Sequence, residues 1–223
     1  RLEEALSDKA TALKVAQTDA ATGLRNRRGL EVDLENRVKD AEKEGKSFGF
    51  ALVDLDYFKR INDRFGHSVG DSVLKTVGKR LASLPGIRSV GRIGGDEFAV
   101  ITEDLDELGV SFADRFERFR QIVFRPTTSG DREIKLSGSA GICIYPKDAT
   151  TPSELLSRAD LALFAGKRGG RAASQMFDEN TLGAYRRRLQ IEEKLPQALE
   201  QALITPVFQP IVSSGTRQPI GVE

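Results

Sequence analysis

Apolar residues recur at helical spacing through Leu2, Ala5, Leu6, Ala10, Leu13 and Ala16, uninterrupted by Gly or Pro, so the pattern predicts a helix from Arg1 to about Thr18. That stripe suits packing against a second copy or a solvated lead-in equally well. Gly and Asn in Asp19-Ala-Ala-Thr-Gly-Leu-Arg-Asn-Arg-Arg mark a turn crowded with arginines. A helix follows over Arg27 to Glu44, closed by Gly45. The run FGFALVD, Phe48 to Asp54, has the length of a buried strand. Helices are expected at Phe58 to Phe65 and Gly70 to Leu84. Ser89 to Arg92 and Glu97 to Thr102 are β-prone segments around a Gly94-Gly95 turn, which reads as a hairpin. The remaining pattern gives a helix at Asp106 to Val123, a strand at Lys135 to Tyr145, and a helix at Thr151 to Lys167 with an N-cap Thr followed by Pro. A short strand at Ser174 to Phe177, a polar helix at Glu179 to Ala202 and a β-type tail at Thr205 to Glu223 complete the chain. Strands separated by helices, with a hairpin in the middle, imply a sheet with helices packed on it.

Composition narrows the function. The 223 residues hold 34 Lys plus Arg against 33 Asp plus Glu, so no global field draws the chain to nucleic acid or an anionic membrane. Any phosphate binding must come from local arrangement. The one cysteine, Cys143, lies in an apolar run and reads as a buried small side chain. No apolar stretch reaches the roughly 20 residues of a membrane span. The expected location is the cytoplasm. The start at Arg1 without Met gives the expectation of a fragment of a longer protein, in which an anchor outside this chain is compatible.

The chemistry concentrates in acids. Asp54 and Asp56 close an apolar strand, where ionised carboxylates are costly unless exposed, paired or bound to metal. Asp96 and Glu97 follow a Gly-Gly turn, where backbone can approach a ligand closely. A strand-end Asp facing a hairpin Asp makes a hard, oxygen-lined site for Mg²⁺; taken pair by pair, each is equally an ordinary turn carboxylate. Asn62 and Asp71 carry groups that match the edge of guanine, a carboxylate accepting N–H bonds and an amide doing both. Lys59 offers a point charge for phosphate.

Asp54-Leu55-Asp56-Tyr57-Phe58-Lys59-Arg60-Ile61-Asn62-Asp63-Arg64-Phe65-Gly66-His67-Ser68-Val69-Gly70-Asp71 resembles the family stretch D-x-D-x-F-K-x-x-N-D-x-x-G-H-x-x-G-D of GGDEF diguanylate cyclases, and Gly94-Gly95-Asp96-Glu97-Phe98 is the signature itself. Thr22-Gly23-Leu24, Ser139-Ala140-Gly141 and Ala159-Asp160 leading to Lys167 extend the resemblance from about Asp19 to Phe177. The resemblance implies an α/β fold with a central, mostly antiparallel sheet wrapped by helices, similar to the polymerase palm and to nucleotide cyclases. It implies Mg²⁺, or Mn²⁺ in its place, held by Asp54, Asp96, Glu97 and the Leu55 carbonyl. It implies guanine recognition by Asn62 and Asp71 with His67 nearby. Phosphates would be held at Phe58 and Lys59, and by Lys167 and Arg171, with Gly95 lining the substrate site. Catalysis would rest on Asp96, Glu97 and Lys59. The implied reaction joins two GTP into cyclic di-GMP across a homodimer. The alternative is a GTP-binding module that regulates a phosphodiesterase.

Two further features bear on organisation. The family's product-binding R-x-x-D here reads Pro85-Gly86-Ile87-Arg88, so both charged positions are lost. The tail, Phe208-Gln209-Pro210-Ile211-Val212 with Gly221-Val222-Glu223, resembles the opening of an EAL phosphodiesterase domain. The expected organisation is a signalling helix over 1–18, the GGDEF domain over 19–178, a linking helix over 179–204 and a truncated EAL start over 205–223. An upstream sensory domain and a downstream EAL domain are the expected neighbours, and the fragment itself should have no phosphodiesterase activity.

Overall fold

The computed structural model describes residues 15–104, 112–130, 132–201, 203, 207, 209–216 and 218–222. The expected N-terminal helix falls almost wholly outside them. The described chain divides into two compact units, one ending at Thr181 and one beginning at Leu182.

Helix α1 spans Arg27–Glu44. The Asn26 side chain accepts a hydrogen bond from the Gly29 amide at its start, and Gly45 ends it in the left-handed conformation at φ 66°. Strand β1, Phe48–Leu55, is buried along its whole length, which is why its sequence is continuously apolar rather than alternating. Helices α2 (Phe58–Phe65) and α3 (His67–Ala82) meet at Gly66, whose φ of 87° suits glycine alone. The hairpin comprises β2 (Ile87–Gly94) and β3 (Glu97–Asp104). Helix α4 covers Phe112–Val123. A small hairpin of β4 (Thr127–Ser129) and β5 (Arg132–Ile134) precedes β6 (Gly138–Tyr145). Helix α5 is Pro152–Arg168, capped by the Thr151 hydroxyl, and β7 is Ser174–Met176.

The main sheet has five strands in the order β2-β3-β1-β6-β7. All its pairings are antiparallel except β6 with β7. The expected mostly antiparallel α/β sheet is therefore what forms. On one face Ala51, Val53, Leu55, Val100 and Ile142 pack against Val73, Leu74 and Val77 of α3 and Phe116 and Phe119 of α4. On the other face lie α1 and α5. Gly141 lets α5 come close, since a Cβ there would sit 2.1 Å from both the Ala159 carbonyl oxygen and the Leu163 nitrogen. Cys143 is buried on the same side with its thiol 3.2 Å from the Leu155 carbonyl, and burial pushes its pKa up, so it is structural.

The structure moves several expected boundaries. Helix α3 begins at His67 rather than Gly70, because Gly66 makes the turn before it. The strand expected from Lys135 begins at Gly138, and the β4–β5 hairpin before it was not foreseen. The first residues of the helix expected from Asp106 lie outside the described residues; α4 runs from Phe112. Helix α6 (Glu179–Glu200), most of which belongs to the second unit, carries Pro196 within it, and in that unit β8 (Pro210–Val212) pairs antiparallel with β9 (Pro219–Val222). No helix among the described residues is long and apolar enough to cross a membrane.

Candidate nucleotide and metal site

The carboxylates meet at one end of the sheet because of strand register. Asp54, near the end of β1, faces Glu97, the first residue of β3, across the antiparallel pair. One step further, the Leu55 amide donates to the Asp96 carbonyl at 3.3 Å. Gly95 makes the hairpin turn at φ 38°, which a side chain would strain. Asp54, Leu55, Asp96 and Glu97 are thus brought together as the sequence implied.

Their electrostatics are uneven. Asp54 is buried, and that burial pushes its carboxyl above the ordinary range. The Lys167 ammonium, 2.7 Å from Asp54 Oδ2, opposes the shift, whereas the charges of Asp96 and Glu97 reinforce it. Lys167, expected on terminal phosphates, is thus the counter-ion of Asp54 here. Among the described residues no three His, Cys, Asp or Glu side chains converge as a closed metal cage. What the sheet end offers is a set of mutually repelling carboxylate oxygens whose charge one lysine partly offsets. That donor set fits a hard divalent cation such as Mg²⁺ that keeps water and phosphate oxygens as its other ligands.

Asp56 has a different job. It is 5% exposed, and its oxygens accept from the Ser137 hydroxyl, the Ser139 hydroxyl and the Ala172 amide. These donors stabilise a buried carboxylate without metal. It ties the end of β1 to β6 and to the loop after α5. Asp56 is therefore a structural carboxylate, and Ser137 and Ser139 are partners that sequence reading missed.

The next residue turns the chain. Tyr57 adopts the left-handed conformation at φ 59°, so that α2 starts directly after it and presents Phe58 and Lys59 in its first turn. Lys59 is exposed. The Tyr57 ring is half exposed and has two cations near it, Arg60 at 4.7 Å and Arg171 at 5.1 Å from its centroid. Arg171 and Ala172 are themselves left-handed. Asn62 on α2 packs over Gly70 on α3: a Cβ at Gly70 would stand 1.9 Å from Asn62 Oδ1. Asp71 follows Gly70 on the exposed side of α3, and His67 is exposed at its first position. The α2–α3 corner thus gathers Asn62, Asp71 and His67.

Arg92 was not singled out by its sequence position, yet it braces the signature turn. Its Nε and Nη2 donate to the Gly95 carbonyl at 2.9 and 2.7 Å, and its Nη1 lies 3.4 Å from Asp19 Oδ1. Asp19 also accepts from the Thr22 amide and hydroxyl at 2.8 and 2.6 Å. Partial burial pushes the Asp19 carboxyl up, but these bonds and Arg92 outweigh it and hold it below the usual range. The Asp19–Arg25 turn is in turn pinned to β2, with the Arg25 amide donating to Val90 and the Arg92 amide to Arg25.

At the degenerate R-x-x-D positions, Arg115 donates to the Pro85 carbonyl at 2.6 Å, and Arg88 lies 2.9 Å from Asp40 and 3.7 Å from Glu103. The surface is closed by its own neighbours.

Comparison with known proteins gives a consistent result. Residues 16–173 match the family described as "Diguanylate cyclase, GGDEF domain". The chain is 35% identical over 204 residues to the cyclic di-GMP phosphodiesterase NbdA of Pseudomonas aeruginosa, covering 90% of this chain and 25% of that protein. It is 32% identical to the bifunctional diguanylate cyclase/cyclic di-GMP phosphodiesterase MucR of the same organism, covering 100% of this chain and 34% of MucR. The chain thus spans a quarter to a third of the length of these relatives. Among solved structures, the GGDEF domain of TpbB from P. aeruginosa superposes with a TM-score of 0.67 at 32% identity, covering 76% of this chain and 99% of that one.

Proposed function

Because the chain belongs to the GGDEF diguanylate cyclase family, we propose that its first unit condenses two GTP into cyclic di-GMP and two pyrophosphates, with one GTP held by each protomer of a homodimer. The observation that best supports this is the β1–β3 register, which stacks Asp54, Leu55, Asp96 and Glu97 at the sheet end from which α2 departs. Asp54, Glu97, Asp96 and the Leu55 carbonyl would hold Mg²⁺. When bound, the metal would polarise the α-phosphate and lower the pKa of the attacking 3′-hydroxyl.

The chain's own residues do the rest. Asn62 and Asp71 hydrogen-bond the guanine edge, and His67 walls the pocket. The first-turn amides at Phe58 and Lys59 face the phosphates, as helix N-termini do. Lys59 neutralises charge that develops on the transferring phosphoryl group. Lys167, the counter-ion of Asp54 in this structure, would grip terminal phosphate oxygens when substrate is bound, and Arg171 would join it from beside Tyr57. The 3′-oxygen of one GTP bonds to the α-phosphorus of the other, the bond to pyrophosphate breaks, and the hydroxyl proton passes to solvent. Two such transfers related by a two-fold axis close the ring, which is why an isologous dimer is required.

The tail supports a second element of the reading. Its resemblance to an EAL start, and the phosphodiesterase activities in the names of NbdA and MucR, support a full-length protein that joins synthesis to hydrolysis. The test is incubation of the chain with GTP and Mg²⁺ and detection of cyclic di-GMP, followed by assay of the full-length protein for synthesis and breakdown. GTP binding with no cyclic dinucleotide formed by either protein would reject the cyclase reading.

A further inference from the structure

On the far side of Asp56 from the acidic sheet end, a groove of about 480 Å³ runs between α2 and the β4–β5 hairpin. That volume is in the range of small-molecule sites, roughly 300–1,000 Å³. Two arginines one helical turn apart, Arg60 and Arg64, form its α2 wall. Both are exposed, and neither is ion-paired among the described residues. Each lies on an aromatic ring: Arg60 at 4.7 Å from the Tyr57 centroid and Arg64 at 5.1 Å from that of Phe65. Lys135 stands on the opposite wall with Ile134. The carboxylates of the groove are Glu133 on the rim and Asp56, and Asp56 is already saturated by hydrogen bonds. The groove is therefore cationic, with Arg60, Arg64 and Lys135 against Glu133.

A guanidinium held over a ring has lost some of its freedom before any ligand arrives, which lowers the entropic cost of binding. Both arginines are exposed, so each guanidinium is within reach of a ligand in the groove. The guanidinium N–H edge makes the bidentate contact to O6 and N7 that distinguishes guanine. Two such platforms at i and i+4 place their Cβ atoms about 5–6 Å apart. A ligand with one base would use one platform. A ligand with two guanines and two phosphates would use both, with Lys135 against phosphate.

We propose that this groove is a second nucleotide site, separate from the catalytic one, that takes a cyclic guanine dinucleotide. The choice of that ligand rests on the cyclase reading, since it is the product of the proposed reaction. The site also differs from the Pro85–Arg88 surface, where the cations are bound to the protein's own groups.

The test is equilibrium dialysis of the whole chain carrying Asp96→Ala, which prevents turnover, against cyclic di-GMP, GTP, GMP and inorganic phosphate. Cyclic di-GMP should bind, and Arg60→Ala and Arg64→Ala should each weaken it about tenfold or more, in keeping with the value of a bidentate Arg–guanine contact. Arg64→Lys keeps the charge but loses the fork, so it should not restore affinity. Asn62→Ala should leave cyclic di-GMP affinity unchanged. Both arginines are exposed, so folding is preserved, which circular dichroism checks. Unchanged affinity in both arginine variants overturns the site, as does absence of binding in the parent. Loss of affinity in Asn62→Ala alone places the product in the catalytic pocket instead. Equal binding of GMP or of phosphate at the groove overturns the dinucleotide assignment. If the chain makes no cyclic di-GMP yet binds it through Arg60 and Arg64, the cyclase reading fails while the groove stands.

Discussion

At the scale of single residues, the two acidic strand-end aspartates have opposite fates. Asp54 carries a charge that its surroundings resist and that one lysine partly satisfies, whereas Asp56 is surrounded by donors. A buried acid left short of partners at a ligand-facing edge is a functional signal, and a saturated one is scaffolding. Asp54→Ala or Asp96→Ala should therefore abolish cyclic di-GMP synthesis while the thermal transition persists, because each removes a hard-cation ligand and relieves repulsion. Wild-type synthesis by Asp96→Ala would remove the assigned metal site. Asn62→Ala or Asp71→Ala should lower GTP affinity and narrow its preference over ATP, since a site built to hydrogen-bond a polar edge rejects analogues that lack it. Competition binding with both nucleotides measures this, and an unchanged preference in both variants would take these residues out of the guanine pocket.

At the scale of elements, the turn before α1 and the approach of α5 show how local chemistry supports the site. Asp19 links the Thr22 turn to Arg92, and Arg92 holds the Gly95 carbonyl of the signature turn. Its pKa is depressed in the folded protein. The stability it contributes is thus fully present above the unfolded value, about 3.9, and is lost as pH falls through the lower folded value. Asp19→Ala should be less stable than the parent at neutral pH, and denaturant midpoints of the two proteins should converge in strong acid. A gap that persists there would mean the charge is not what matters. On the other face, Gly141→Ala would drive a methyl into the α5 backbone, which must shift. Overpacking of this kind costs roughly 1–3 kcal/mol, read as a lowered midpoint in urea. The elements themselves were largely legible: caps and glycines marked α1 and α5, and continuous apolarity marked β1. The β4–β5 hairpin was not, because strands of three residues leave too little periodicity to see. The grouping of Asp54 with Glu97, and of Asn62 with the start of α3 that carries Asp71, agrees with the motif resemblance. Arg92, Ser137 and Ser139 were not legible, since their roles depend on contacts such as Ser139 to Asp56 across the sheet. The left-handed Tyr57 leaves no mark in sequence at all.

At the scale of the whole molecule, the question is whether the product of the proposed reaction can act back on its synthesis. The family's product-binding surface needs a free Arg and a free Asp, three residues apart, near the signature hairpin. Here Pro85 supplies neither charge nor an N–H, and its carbonyl is occupied by Arg115. Gly86 has no room beside it either, since a Cβ there would fall 2.0 Å from the Arg115 guanidinium. Arg88, the one cation left at these positions, points its charge at Asp40 on α1 and Glu103 on β3. A ligand would have to break those contacts to reach it, and the two carboxylates would repel the ligand's phosphates. Cyclic di-GMP should therefore not inhibit synthesis through this surface. Initial rates against added cyclic di-GMP should follow the same curve for the parent and for Arg88→Ala, whatever that curve is. Inhibition that vanishes on Arg88→Ala would restore the surface as a control point. Inhibition that survives Arg88→Ala but disappears in Arg64→Ala would instead trace product sensing to the groove beside α2, which the catalytic site adjoins through Tyr57, a ring shared by Arg60 of the groove and the phosphate-binding candidate Arg171.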